Sequence, residues 1–456
     1  MHSFKKRYRR NKPIVETEFV KGDGWFIELV RSVRSGLCFI LYQLDGGKVT
    51  FSWEFELGDR VIVPPEEDEF IRHVRLAGQF NDCGTVSNLL NNIDLFISRC
   101  LDISAQDRFL MTCFVVCTWV VDRLPLAPYI ALVGLPQSGK TTAMKVLQLL
   151  CRRGLLTSDI SSAAFFRACD RLMPTLFIDE TATAGQQRAL FHLLRSGNTP
   201  DFIVLRDTQS YRTYCPKVVS WIELPNDSAL NSRCLIIPMQ ETSRTDLLRT
   251  TDPEIVAAAE ELQGQLLMYR FRKYSTLQLP QIPGSENLRS RNRDLYEAMA
   301  LPIADDRESC ARLLECMDKQ HDFQRQPLAP NQTAVLETLF EQIHVHPDQG
   351  TFAIRDLANA VNLNLKRTGE CFRLNPRGVG AVLTTFGFLN RDRTNSGWVV
   401  WLDRGERKRI HELISLYGVD GLAPVLSAKK PWTACDFCKG QDEQRPKIPP
   451  ADGSTS

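Results

Sequence analysis

The chain has 456 residues, a net charge of +2, 43% hydrophobic and 24% charged residues, and 14 cysteines. That length allows about three domains. The balance is that of a globular protein, which excludes a disordered chain and one whose whole surface attracts a polyanion. The longest apolar run, Phe109 to Val121, is too short to span a bilayer. The cysteines are scattered through apolar segments without a secreted-type framework, which predicts a cytoplasmic protein with no membrane partner.

Residues 1–14 read as a basic, disordered tail, with Lys5, Lys6, Arg7, Arg9, Arg10 and Lys12 and no apolar stretch behind them to make a signal peptide. Residues 15–75 form a small β-rich domain. "GWFIELVRS", "LCFILYQL" and "KVTFSWEFEL" alternate or run apolar, and "DGG" marks a hairpin turn. The segment carries no chemical motif, so it packs against the rest or grips an unidentified protein partner. Residues 76–127 read as a helical collar whose last helix, Phe109–Val121, is buried.

The α/β core spans 128–242 and opens on "LVGLPQSGKTT". Gly134, four intervening residues and then Gly139-Lys140-Thr141 complete the phosphate-loop spacing. The glycines allow turns that a Cβ would block, and the freed N–H groups form an anion nest at a helix N-terminus. Gly134, Pro136, Gln137, Ser138, Gly139, Lys140, Thr141 and Thr142 are therefore the expected ATP contacts. "PTLFIDET" is an apolar strand that ends in acid where parallel sheets bind ligands. Asp179 and Thr141 are placed for Mg²⁺, and Glu180 for activating water. The strands expected in the core are "PYIALV", "LLTSDI", "TLFID", "DFIVLR", "KVVSWIE" and "CLIIPM", alternating with helices as a doubly wound fold. "FIVLRDTQSYRTYCPK" also offers Arg206, Tyr211, Arg212 and Lys217 to single-stranded nucleic acid, or is simply a surface hairpin.

Residues 243–328 are helical, with Asp252 as a cap and Pro253 in the first turn. A helical lid at this point resembles the AAA+ ATPases. Residues 329–420 read helix, helix, helix, hairpin, a winged-helix pattern. "NPRGVGAVLTTFG" is punctuated by Asn375, Pro376 and Gly387. Arg377 would enter a major groove, and Arg391 and Arg393 would meet phosphates, with Lys366, Arg367 and Arg373 on the same basic side. A protein-binding spacer is the alternative. In the flexible tail, 421–456, Cys435 and Cys438 have zinc-ligand spacing but form only half a site, with His411 as a third ligand.

"FIDETATAGQQRALFHLLRSGNTPDFIVLRD", "CPKVVSWIELPNDSALNSRCLIIPMQ" and "LRSRNRDLYEAMALPIAD" follow in that order. Together with the phosphate loop they resemble the helicase-type ATPase of phage and plasmid primase proteins, over roughly Ile130 to Ala304. No primase domain is recognisable ahead of it. The resemblance implies that Arg233 reaches a neighbouring subunit's γ-phosphate, that Asn226 senses the γ-phosphate, and that Arg291 is a second sensing arginine. An arginine acting in trans implies a homo-oligomer, a ring such as a hexamer, acting on DNA. The alternative is a nucleotide-dependent signalling switch that recruits protein partners.

Overall fold

In a computed structural model of the chain, the apolar run Tyr129–Val133 becomes an inner strand of a five-stranded parallel sheet. The structure describes residues 8–9 and 12–417, apart from 33, 180–189, 192, 207, 226, 278–283, 289, 325–327 and 396. The spatial order is Leu155–Thr157, Leu176–Ile178, Lys217–Trp221, Tyr129–Val133, Cys234–Pro238, all parallel. Helices join and cover these strands, so both faces are buried and the strands read as continuous apolar runs. The chain divides into two compact units, 1–324 and 325–456.

One expected core strand lies elsewhere. "DFIVLR" supplies Ile203–Arg206, which pairs antiparallel with Gln209–Arg212 in a separate two-stranded hairpin. The two strands lie close along the chain and pair locally, with Arg206 opposite Gln209, and Ile203 and Leu205 stay exposed instead of entering the sheet. The outer edge of Cys234–Pro238 is covered by a side chain: Gln320 Nε2 donates to the Ile236 carbonyl at 2.9 Å, and its Oε1 accepts the Ile236 N–H at 2.8 Å. One amide thus satisfies both edge groups, as a sixth strand would.

Ahead of the core, four antiparallel strands (Phe19–Gly22, Trp25–Ser32, Gly36–Gln43, Val49–Ser52) form a meander. Its "DGG" turn holds Gly46 and Gly47 at positive φ. Part of the stretch read as a tail is ordered: Lys12–Glu16 pairs parallel with Arg60–Val63, and Lys12 Nζ binds Glu56 at 3.0 Å. The edge of an existing strand gave these residues a partner that a local reading could not foresee.

Helices Val86–Cys100 and Ala105–Trp119 follow, capped by the Thr85 and Ser104 hydroxyls. Every residue from Phe109 to Trp119 is buried, because the helix is surrounded by other helices. Pro253–Tyr274, Ser290–Ala300 and Arg307–Gln324 pack on this pair and share one apolar core with the meander and the phosphate-loop helix. Asp252 stands at the head of Pro253–Tyr274, but its carboxylate bonds back to the Arg249 N–H, at 2.7 Å.

A buried ion cluster ties these layers together. Glu28, on the meander, accepts Arg152 at 2.6 Å and Arg153 at 2.7 Å through Oε1, and Arg270 at 3.0 Å through Oε2. Arg270 also forks onto Asp122, at 2.7 and 2.9 Å. Burial opposes the Glu28 charge, but the three guanidiniums outweigh it and hold the carboxyl down at about 2.

The second unit runs helix Pro330–Val345, strand Thr351–Ala353, helix Ile354–Arg367, helix Pro376–Thr385, hairpin Arg391–Thr394/Gly397–Trp401 and helix Arg404–Tyr417. Its three strands form an antiparallel sheet over its own apolar core. The third helix is punctuated as read: the Asn375 side chain accepts the Gly378 N–H, Pro376 opens the first turn, and Gly387 follows at φ +80.

Candidate functional site

The phosphate loop leaves the C-terminal end of Tyr129–Val133 and enters helix Lys140–Leu150. Gly139 caps that helix at φ +85, a left-handed conformation that glycine adopts without strain. Gly134 is required by space instead: a Cβ there would sit 2.2 Å from the Met239 carbonyl oxygen. Gln137 takes positive φ, and the Ser138 N–H closes a turn onto Leu135 at 3.3 Å. Pro136 is exposed at the rim, as are Thr141 and Thr142 on the helix's first turn. Lys140 Nζ arches over the loop to the carbonyls of Gly134 and Leu135, at 2.6 and 2.8 Å. Burial lowers its pKa, and the Asp179 charge opposes that shift.

The strand order brings the acid to the loop. Asp179 follows Leu176–Ile178, and its Oδ2 accepts the Thr141 hydroxyl at 2.8 Å. Its Oδ1 accepts the Ser220 hydroxyl at 2.7 Å. Ser220 was missed in the sequence. The signal was a lone hydroxyl near the end of the apolar strand "KVVSW", on the strand that parallel pairing seats beside Asp179. A hydroxyl and a carboxylate beside a phosphate loop are the oxygen donors that Mg²⁺ takes, so Thr141 and Asp179 fit that ion. Among the described residues no group of three or more His, Cys, Asp and Glu side chains could hold a metal. A cavity of about 450 Å³ adjoins the loop, with Ser138, Gly139 and Thr142 on one wall and Leu101, Met239 and Leu248 on another. Glu180 and Asn226 lie outside the described residues.

Arg233 and Arg291 lie at the other end of the sheet. Arg233 immediately precedes Cys234, which is in register with Tyr129, the first residue of the strand whose far end carries the loop. Five residues of strand separate the two ends, roughly 16 Å. Arg291, expected as a second sensing arginine, sits beside Arg233, and both donate to the Ala229 carbonyl. The helix that carries Arg291 packs against the collar, which sets it at this end. Arg233, Arg291 and Arg195 line one cleft of about 220 Å³ with Asp294. Burial, and then the Arg291 charge, lower the Arg233 pKa. An anion in the cleft would relieve that crowding.

The basic residues proposed for nucleic acid divide. Arg206 and Arg212 are exposed on the hairpin, with Arg206 over the Phe166 ring at 5.3 Å. Lys217 does not belong with them. It is fully buried at the start of its strand, and Nζ donates to the Tyr129 hydroxyl at 2.9 Å and to the Cys215 and Thr213 carbonyls at 3.0 and 3.1 Å. A buried ammonium needs acceptors for its three donors, and Lys217 has found them internally. In the second unit Arg377 and Arg393 are exposed, whereas Arg391 is half-buried and bonds to the Phe388 carbonyl and the Thr384 hydroxyl. That occupies Arg391 within the fold. Cys435 and Cys438 lie outside the described residues. His411 is buried beside His344, with Nδ1 2.8 Å from the Arg407 carbonyl. The described cysteines are free thiols, mostly buried, and no described helix is long and apolar enough to cross a membrane.

No family model and no curated protein matches the sequence. Several solved structures resemble it loosely. The apo A form of the NrS-1 C-terminal region is 10% identical, covers 83% of this chain and 96% of that one, and has a TM-score of 0.38. The active helicase Cch of SCCmec type IV is 12% identical, covers 88% and 80%, and scores 0.40. A full-length MCM homolog from Methanopyrus kandleri is 12% identical, covers 67% and 70%, and scores 0.34. Likeness at this level assigns no activity. What stands on the geometry is a mixed α/β fold with a parallel sheet, a phosphate loop and an acid at its lip.

Proposed function

We propose that this protein is an ATP-hydrolysing motor of the AAA+, helicase-like kind, which assembles as a ring and acts on DNA. One observation carries the reading: Asp179 accepts the Thr141 hydroxyl beside the phosphate loop, while Arg233 and Arg291 share a cleft at the opposite end of the strands. The loop's N–H groups and Lys140 hold the β and γ phosphates, and the adjoining cavity takes the nucleoside. Thr141 and Asp179 hold Mg²⁺, which neutralises charge across those phosphates when bound. Ser220 fixes the Asp179 carboxylate, and Glu180 takes the proton of the attacking water.

Arg233 is too far from its own loop to serve it. Its anion is therefore a neighbour's γ-phosphate, Arg291 belongs to the same cleft, and a head-to-tail assembly follows. Arg206 and Arg212 meet single-stranded DNA, and the second unit acts as a winged helix with Arg377 leading.

Lys140→Ala and Glu180→Gln are each expected to lower steady-state ATP turnover by about 100-fold or more, and single-stranded DNA to stimulate the wild type. Undiminished turnover in either variant would remove the mechanism. A wild type indifferent to DNA would instead favour the switch that recruits protein partners. Ser220→Ala should raise the Mg²⁺ concentration for half-maximal turnover about 10-fold or more, the loss seen when a partner that orients a metal ligand is removed. An unchanged Mg²⁺ dependence would deny Ser220 that positioning role.

A further inference from the structure

We propose that the hairpin Arg391–Thr394/Gly397–Trp401 is a platform for single-stranded nucleic acid, in which Trp398 stacks on an unpaired base and Arg393 meets the adjoining phosphate. The inference rests on the reading of the chain as acting on DNA and names the form of DNA that the second unit takes.

Trp398 is 55% exposed. An indole left in water at this extent gives up the burial that makes tryptophan useful in a core. Register fixes its surroundings. Trp398 stands directly opposite Arg393, and the next pair on the same face is Val400 with Arg391. Val400 is fully buried, so Trp398 continues the core-facing row one step beyond the rim. Trp401, on the other face, is engaged differently: its Nε1–H donates to Asp392 at 2.9 Å.

The Trp398 face is continuous with the helix Pro376–Thr385, whose first turn carries Arg377. Arg391 lies along that helix, with Nη1 3.6 Å from where a Gly380 Cβ would stand and Nη2 bonded to Thr384 at 3.1 Å. The result is a strip of Arg377, Arg391, Arg393 and Trp398.

Charge selects the occupant. Between Lys366 and Arg393 there are six basic residues against two acidic ones, which suits a polyanion. An apolar protein partner would want apolar neighbours around the indole, yet those beside it are Arg393, Thr394 and Gly397. Major-groove reading uses polar side chains against base edges. A flat exposed indole beside a guanidinium suits a splayed base and its phosphate.

The test uses the full chain without nucleotide, a labelled oligo-dT strand and a blunt duplex of equal length, followed by anisotropy. Trp398→Ala should weaken single-strand binding about tenfold, with Trp398→Phe within about threefold of wild type. Arg393→Ala should weaken it less and flatten its salt dependence. Duplex binding should not change in either Trp398 variant. Oligo-dT should quench wild-type indole emission more than that of Trp398→Phe. Wild-type single-strand affinity in Trp398→Ala, or equal loss on single strand and duplex, overturns the proposal. These arms use no ATP turnover, so a chain that fails to hydrolyse ATP refutes the motor reading while binding still decides this one.

Discussion

Arg233→Ala should cut ATP turnover by about 1,000-fold or more, the effect of removing an arginine that stabilises the transferring phosphoryl group. Nucleotide affinity should change far less, because the phosphate loop, Lys140 and Asp179 are untouched. A mixing experiment gives the sharper result. Lys140→Ala subunits keep Arg233 but lack a working loop, and Arg233→Ala subunits keep the loop but lack the arginine. Each is nearly inactive alone. Mixed, they should recover a measurable fraction of wild-type turnover, since some interfaces then pair an intact loop with an intact arginine. Strand register is the reason: Cys234 lies against Tyr129 while the loop starts beyond Val133, so one chain cannot bring its own two halves together. No recovery in the mixture, with both variants folded, would show that Arg233 works within its own chain or not at all. Arg291→Ala belongs to the same set and should complement Lys140→Ala in the same way.

Glu28→Gln should destabilise the first unit by about 3–5 kcal/mol, the range for removing one partner of a buried ion pair. Arg152, Arg153 and Arg270 are all buried, and among the described residues the other carboxylate bonded to this cluster is Asp122. The glutamine keeps the volume, so the loss reports charge and not a cavity. Urea or thermal unfolding measures it, and a midpoint unchanged from wild type would show that the cluster contributes nothing net. The pH dependence has a fixed sign. The folded Glu28 titrates at about 2, below its ordinary 4.5. Its contribution is therefore complete above pH 4.5 and is lost as pH falls toward 2. At one pH unit per 1.36 kcal/mol, that loss is about 3 kcal/mol. Asp122 is depressed as well and acts in the same direction. The wild type should lose stability steeply over this window, and Glu28→Gln should show a shallower acid limb.

The cluster also bears on function. Arg152 and Arg153 follow helix Lys140–Leu150 just after its C-cap, Cys151, and the helix's first turn carries Lys140 and Thr141. Glu28 therefore anchors the far end of the phosphate-loop helix to the meander. This gives the β-rich segment a specific packing contact, through a buried charge, within the packing role read from its sequence.

Some of this could be read along the chain because its cause is local. Gly134 to Thr141 encode backbone turns and a helix start within eight residues, and the structure forms them. Asn375, Pro376 and Gly387 bracket a helix in the same way, and Phe109–Val121 is apolar all round because it is buried all round. The remainder depended on which distant segments became neighbours. Ser220 meets Asp179 only because Lys217–Trp221 pairs in parallel with Leu176–Ile178. Lys217 looked like a surface cation until pairing of its strand with Tyr129–Val133 buried it against Tyr129. "DFIVLR" has the composition of a core strand, yet a strand close along the chain became its partner. Glu28, Asp122, Arg152 and Arg270 come from four segments with no shared spacing. Spacing along the chain specifies dihedral angles and hydrogen bonds within a few residues, whereas strand order and helix packing decide which charges share a dry interior and which arginines face away from their own loop.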